Sequence, residues 1–178
     1  MADGAENTPD SAGVFNAISN AQAITEITAP AIARAKALPI WRSDVAPRLL
    51  SGGLSNINLT VDDAGKRYVV RIGGDEPHLG VFRVNEVTAL RAAHAAGVAP
   101  EVIYDEPGLT VLGYIPGRNL TPDDLHAPDM IVKAAQLIRR LHDEAHKHLE
   151  DSGAVFWPFH HNRWYVRQLR ERGAALDE

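Results

Sequence analysis

The 178-residue sequence lacks cysteine, an excess of positive charge and any long hydrophobic run. Without cysteine it can form no disulfides, catalytic thiolates or thiolate zinc sites. The net charge of −5 offers no basic field to a phosphate backbone, so we expect no nucleic-acid partner. No apolar stretch approaches the roughly 20 residues that span a bilayer, and residues 1–10 are too polar for a signal peptide. We therefore predict a soluble, cytoplasmic protein without a membrane partner.

The sequence begins with two segments that differ in what they can bury. The hydrophobic fraction of 45% is that of a globular protein. Residues 1–16 have few apolar side chains and predict a flexible tail. Residues 17–46 are rich in alanine and isoleucine and predict an N-terminal helical extension, broken at Pro30 and ended by Pro39. From Trp41 onward this segment is expected to be a connector.

Residues 47–113 combine strand patterns with one helix. Ile57, Leu59 and Val61 alternate with polar residues, which is typical of a half-buried strand. After a turn at Asp63-Ala-Gly-Lys66, the run RYVVRI predicts a second strand. A helix is expected over residues 81–96, and two short strands are expected at 101–104 and 109–112 around a Pro-Gly turn.

The rest of the sequence is mainly helical. A linker over residues 114–120 precedes a helix predicted from about Asp129 to Leu149, whose apolar residues have helical spacing. A further helix is expected from Asn162 to Arg172. The whole pattern predicts an α+β fold, in which an antiparallel sheet with one inserted helix is joined by a hinge to a helical part.

Four features of the sequence suggest phosphate chemistry when they are taken together. The glycine pair in Ser51-Gly-Gly-Leu-Ser-Asn56 would let the backbone approach phosphates closely. Arg71 lies within an apolar strand, and Glu86 lies on the next helix, where it can pair with Arg71. The segment Tyr114–Gly117 leaves the last strand. Taken singly, each has an ordinary explanation as a turn, a surface charge or a loop.

As a set these features resemble the N-terminal lobe of kinases, with Arg71 where protein kinases have lysine. Four further segments resemble choline and ethanolamine kinases and the related aminoglycoside phosphotransferases: RIGG, AGVAPEVIYD, YIPGRNL and AAQLIRRLHD. The resemblance extends over roughly residues 47–143. It implies a protein-kinase-like N-terminal lobe at 47–113, a hinge at 114–120, and the first helices of an incomplete C-terminal lobe at 121–178.

The resemblance also implies cofactors and site residues. ATP with Mg²⁺ would be the cofactor, and a small alcohol such as choline or ethanolamine the acceptor. Because Gly113 stands where relatives often have an acidic or amide residue, adenine would be recognised by hinge backbone groups. The residues assigned to the nucleotide are Gly52, Gly53, Leu54, Ser55, Asn56 and Ile57 over the phosphates, Arg71 held by Glu86, and Tyr114, Ile115, Pro116 and Arg118 at the hinge.

The sequence contains no catalytic loop of the form H-x-D-x-x-x-x-N. His142-Asp-Glu144 has glutamate at the third place, and His160-His-Asn-Arg163 has no aspartate. We therefore predict that the 178 residues alone do not transfer phosphate, with no catalytic residue in this chain and the Mg²⁺ ligands outside it. The alternative is a non-catalytic nucleotide-binding or interaction module, a pseudokinase-like half domain.

Two side-chain groups admit other interpretations. His142 and His146 share a helix face, as metal ligands can, but their spacing in H-D-E-A-H misplaces the base of a zinc protease and favours a packing or capping role. The aromatic residues Trp157, Trp164 and Tyr165 suggest either a pocket for a quaternary ammonium or ordinary packing. Left exposed, they would favour self-association.

Overall fold

The computed structural model describes residue 26 and residues 28–50, 56–77, 80–150 and 157–174. Its centre is a five-stranded antiparallel sheet with strand order β1-β2-β3-β5-β4. The strands are β1 (Arg48–Leu50), β2 (Ile57–Asp63), β3 (Lys66–Ile72), β4 (Val102–Glu106) and β5 (Leu109–Gly113). The described helices are α1 (28–36), α2 (Arg83–Ala95), α3 (Pro128–Glu144) and α4 (Pro158–Glu171), with 3-10 turns at Asp124–His126 and Ala145–His148. The predicted sheet with one inserted helix is confirmed.

The hydrophobic core lies on one face of this sheet, beneath α1 and the segment that follows it. Leu59, Val70 and Val111 stand side by side in the register of β2, β3 and β5, and each has an exposed fraction of 0%. Ala35 of α1 is equally buried against them. Because successive strand residues point to opposite faces, the intervening residues of these strands face away from α1.

The N-terminal segment is bound to the β2–β3 hairpin by a buried carboxylate. Asp63 accepts hydrogen bonds from the backbone N–H groups of Arg42 and Ser43 at 3.0 Å and from the Ser43 hydroxyl at 2.6 Å. The Ser43 hydroxyl is the main cause that holds the pKa of Asp63 below its ordinary 3.8. A carboxylate with a lowered pKa stabilises the fold above its ordinary pKa, and this contribution is lost as the pH falls through the lowered value.

Three helix boundaries differ from the sequence expectation. Pro30 lies within α1 instead of breaking it. The helix expected to reach Leu149 ends at Glu144 and tightens into the 3-10 turn at Ala145–His148. The last helix starts at Pro158, earlier than expected, with proline in its first turn.

Helices α3 and α4 bury none of their residues in the described structure. The apolar side chains of α3 are instead about half exposed, as Ile131, Val132, Leu137 and Ile138 show. No helix in the described ranges has both the length and the apolar character needed to cross a membrane. The core of the described structure is therefore that of the sheet and α1.

Candidate nucleotide site

The sheet face opposite the core forms one wall of a cleft of about 730 Å³. Asn58 of β2, Val69 of β3 and Leu112 of β5 alternate with the buried core residues of their strands, so their side chains point into this cleft. Leu50 of β1 extends the same wall, and the chain from Gly113 to Asn119 closes its other side. The wall is apolar apart from Asn58, as suits the flat face of a base.

Arg71 and Glu86 meet on the cleft side of the sheet. Arg71 alternates with the core residue Val70 and stands opposite Asn58 in the register of β2 and β3. Its Nη1 lies 2.7 Å from Oε1 of Glu86, with 31% and 28% of the two side chains exposed. The ion pair expected between strand and helix is therefore present, and it directs a partly exposed guanidinium along the cleft face.

Arg83 is a third member of this ion-pair network that sequence reasoning missed. Its Nη1 donates to Oε2 of Glu86 at 2.8 Å, and its Nε donates to the carbonyl of Gly74 at 2.8 Å. Only 14% of its side chain is exposed. The i, i+3 spacing of Arg83 and Glu86 on one helix was the available signal. Glu86 is thus held by its own helix while it holds Arg71.

The hinge segment is anchored to β3 by Arg67. The Tyr114 N–H donates to the Arg67 carbonyl at 3.2 Å, and the guanidinium lies 5.4 Å from the centre of the Tyr114 ring. Arg67 also donates to Asp62 at 2.6 Å, and this bond is the chief cause that lowers the pKa of Asp62. The cation–π contact fixes the ring where the chain leaves the sheet.

The backbone N–H of Ile115 has no hydrogen-bond acceptor among the described residues. The Gly113 N–H is bonded to Glu101 and the Tyr114 N–H to Arg67, whereas within the described residues no acceptor is recorded for the Ile115 N–H. Pro116 follows and has no N–H. Among the described hinge residues that line the cleft, the N–H groups of Ile115 and Gly117 thus both lack an acceptor within the protein, and that of Ile115 lies nearer the end of β5.

Arg118 is engaged by Asp124 beyond the hinge. Its Nη2 donates to the Asp124 carboxylate at 2.7 Å, and Thr121 adds its backbone N–H at 2.7 Å and its hydroxyl at 2.9 Å. The Arg118 guanidinium is the main cause that lowers the pKa of Asp124 far below its ordinary 3.8. Arg118 lines the cleft, but its charge is balanced and its main contact is with the chain itself.

We predict that Asp124→Ala loosens the hinge while leaving the sheet intact. Loss of the Asp124 carboxylate frees the Thr121 N–H, so amide hydrogen exchange at Thr121 should rise by roughly tenfold, which corresponds to the loss of one hydrogen bond. Because the lowered pKa keeps Asp124 ionised in the wild-type protein, its hinge protection should persist into acid and fall only as the pH drops through that lowered value. Asp123→Ala, at the neighbouring exposed carboxylate, is the control. Equal exchange in both variants would contradict this role for Asp124.

The predicted site residues are only partly brought together by the described structure. Gly52, Gly53, Leu54 and Ser55 lie outside the described residues. Asn56 directly precedes β2. The side chain of Ile57 packs against the core on the other face, so only its backbone is left for the cleft side. The other predicted hinge positions, Tyr114, Ile115, Pro116 and Arg118, all line the cleft.

The other two side-chain groups show local packing. His146 Nδ1 lies 3.0 Å from the His142 carbonyl oxygen, and no group of three metal-ligating side chains comes together among the described residues. The rings of Trp164 and Tyr165 meet edge to face at 5.0 Å, with His161 against Tyr165 at 4.9 Å. Most of Trp157 is exposed beside Phe159.

Comparison with known proteins identifies relatives of this fold. A model of the phosphotransferase enzyme family (APH) matches residues 47–178. The structure of a Plasmodium vivax ethanolamine kinase has a TM-score of 0.61 and 16% identity over 81% of this chain and 42% of its own. A choline kinase from Cryptosporidium parvum has a TM-score of 0.59 and 20% identity over 88% and 46% of the two chains. A search of curated proteins finds no match.

These comparisons confirm the expected architecture. The sheet with its inserted helix corresponds to the kinase-like N-terminal lobe of both solved structures. The chain spans less than half the length of either one. At such identities the likeness concerns the fold, and the chemistry has to be argued from the residues of the cleft.

Proposed function

Because the chain belongs to the phosphotransferase enzyme family, we propose that its cleft binds the nucleotide of an ATP-dependent phosphotransferase. The observation that carries this proposal is the ion pair of Arg71 with Glu86 at 2.7 Å on the cleft face. A guanidinium steered by a carboxylate presents its remaining N–H donors in a fixed direction, which suits phosphate oxygens. The acceptor class we propose is a small alcohol of the choline or ethanolamine kind, in the cytoplasm.

The spacing of the cleft suits a nucleotide. Tyr68 pairs with Gly113 at the hinge, and Arg71 is three residues further along β3. At about 3.3 Å per residue this places the cation roughly 10 Å from the hinge, a separation that a nucleoside bridges. The base would lie on Val69 and Leu112 and receive a hydrogen bond from the Ile115 N–H, while the phosphates would meet Arg71.

The described residues fit the nucleotide but not a metal ion held by the protein. Glu86 is the carboxylate nearest Arg71, and two arginines already neutralise it. Mg²⁺ would therefore reach the cleft on the nucleotide phosphates and not through Glu86. When bound, Mg²⁺ supplies charge neutralisation for the phosphates.

We further propose that these 178 residues bind nucleotide without transferring phosphate, because the motif that orients the attacking hydroxyl is absent from their sequence. Calorimetric titration with MgATP should show binding, while a coupled assay with choline or ethanolamine should show no ADP release above the no-protein blank. Absence of binding would refute the nucleotide site. ADP release that depends on either alcohol would refute the lack of turnover and leave the site standing.

A further inference from the structure

The buried side-chain oxygen of Asn58 lacks a hydrogen-bond partner in the described part of the chain. Its Oδ1 is shielded from solvent and accepts no bond there. Buried polar atoms are nearly always bonded, and leaving one unbonded destabilises a fold. Such an exception in a native protein calls for an explanation. The sheet does not require an amide side chain at this position, since Asn58 makes its strand pairings through the backbone.

The position of Asn58 relates this oxygen to the nucleotide cleft. Asn58 pairs with Leu50 of β1 on one side and with Arg71 of β3 on the other. It is the polar residue in a wall otherwise formed by Leu50, Val69 and Leu112. Along the strands, Asn58 lies at the same level as the Arg71 guanidinium. It is therefore beyond the hinge end, where the base is expected, and beside the position expected for the sugar and the first phosphate.

We propose that Asn58 is a specificity-determining residue that recognises the ribose of the nucleotide, an inference that rests on the proposed function. The oxygen requires a proton donor. Phosphate oxygens carry no proton near neutral pH, and the base is expected at the hinge, so the donors at this level are the sugar hydroxyls. When the Asn58 amide turns toward the cleft, Oδ1 can accept a hydrogen bond from a ribose hydroxyl, and Nδ2 can donate to the neighbouring phosphate. The cleft accordingly selects ribonucleotides over nucleotides that lack that hydroxyl.

Titration of the 178-residue chain with ATP, 2′-deoxy-ATP and 3′-deoxy-ATP tests this proposal. The wild-type protein should bind ATP about tenfold more tightly than one of the two deoxy analogues. In Asn58→Leu that preference should vanish, with ATP itself bound about tenfold more weakly. Asn58→Asp keeps the acceptor but places a negative charge beside the phosphates, so it should retain the sugar preference at lower overall affinity. The variant and analogue together form a double-mutant cycle that isolates the pair.

Melting without nucleotide separates recognition from a structural role. Asn58→Leu removes an unbonded buried oxygen, so its melting temperature should equal or exceed that of the wild type. A lower melting temperature together with unchanged ribose preference would assign Asn58 to the fold and overturn the inference. If Asn58→Leu keeps full ATP affinity while Arg71→Ala loses it, the inference fails and the proposed function stands. If the wild-type chain binds no ATP, the proposed function fails and the inference with it.

Discussion

Arg71→Ala is expected to abolish the rise in melting temperature that MgATP produces. At a ligand concentration 100 times Kd, binding stabilises a protein by about 2.7 kcal/mol, which for a domain of this size is roughly 5–10 °C. We propose Arg71 as the cation for the phosphates because its strand register and its ion pair with Glu86 put it on the cleft face of the sheet. Its removal should reduce the shift to near zero in a thermal unfolding scan.

The network around Glu86 makes Arg71→Ala interpretable. Glu86 keeps its bond to Arg83 in the variant, so no buried carboxylate is left without a partner and the fold should survive. Arg71→Lys preserves the charge but loses the forked donor geometry, and should keep only part of the shift. Arg139→Ala, at an arginine of α3 that is 83% exposed, is the matched control and should keep all of it. An undiminished shift in Arg71→Ala would limit Arg71 to a structural role.

Trp41→Ala is expected to lower the free energy of unfolding by about 3 kcal/mol. Trp41 lies in the segment between α1 and β1, before the residues that the family model matches. Its indole N–H donates to the Ala35 carbonyl at 2.7 Å, and its ring packs 5.5 Å from that of Tyr68. Removing it empties part of the core and frees the carbonyl, and urea unfolding followed by circular dichroism would measure the loss.

The matched control is Trp157→Ala. Trp157 is 59% exposed beside Phe159, so its loss should change the free energy of unfolding by no more than about 0.5 kcal/mol. Equal losses in the two variants would mean that the N-terminal segment is not part of the cooperative unit. The larger loss in Trp41→Ala would show that the kinase-like lobe includes residues before position 47.

Strand and helix identities were predictable because they follow local periodicity. The alternation in Ile57, Leu59 and Val61 is a two-residue period, and it reappears as the buried side of β2. The β2–β3 turn was predictable from the run Asp63-Ala-Gly-Lys66, and Ala64 and Gly65 both take the positive φ of a short hairpin turn. The ion pair of Arg71 with Glu86 could be expected once a family pattern linked two residues that are fifteen positions apart.

Helix ends and contacts between distant residues could not be obtained in the same way. The apolar spacing to Leu149 did not show that the chain would tighten after Glu144, because the 3-10 turn at Ala145–His148 packs against α2. The sequence of the connector from Trp41 did not predict its hydrogen bonds to Asp63, since these bonds join residues about twenty positions apart. Such contacts depend on the pairing of whole elements.

The amino-acid sequence by itself determined the antiparallel sheet, its inserted helix and the kinship with phosphotransferases, because side-chain periodicity and short motifs are local properties. Tertiary structure decided which side of the sheet faces α1 and which faces the cleft. As a result, Ile57 packs against the core, and the side-chain oxygen of Asn58 has no hydrogen-bond partner among the described residues. Arg83 and Arg71 both pair with Glu86. The reason is physical: either face of a strand can become the buried one until another element packs against it.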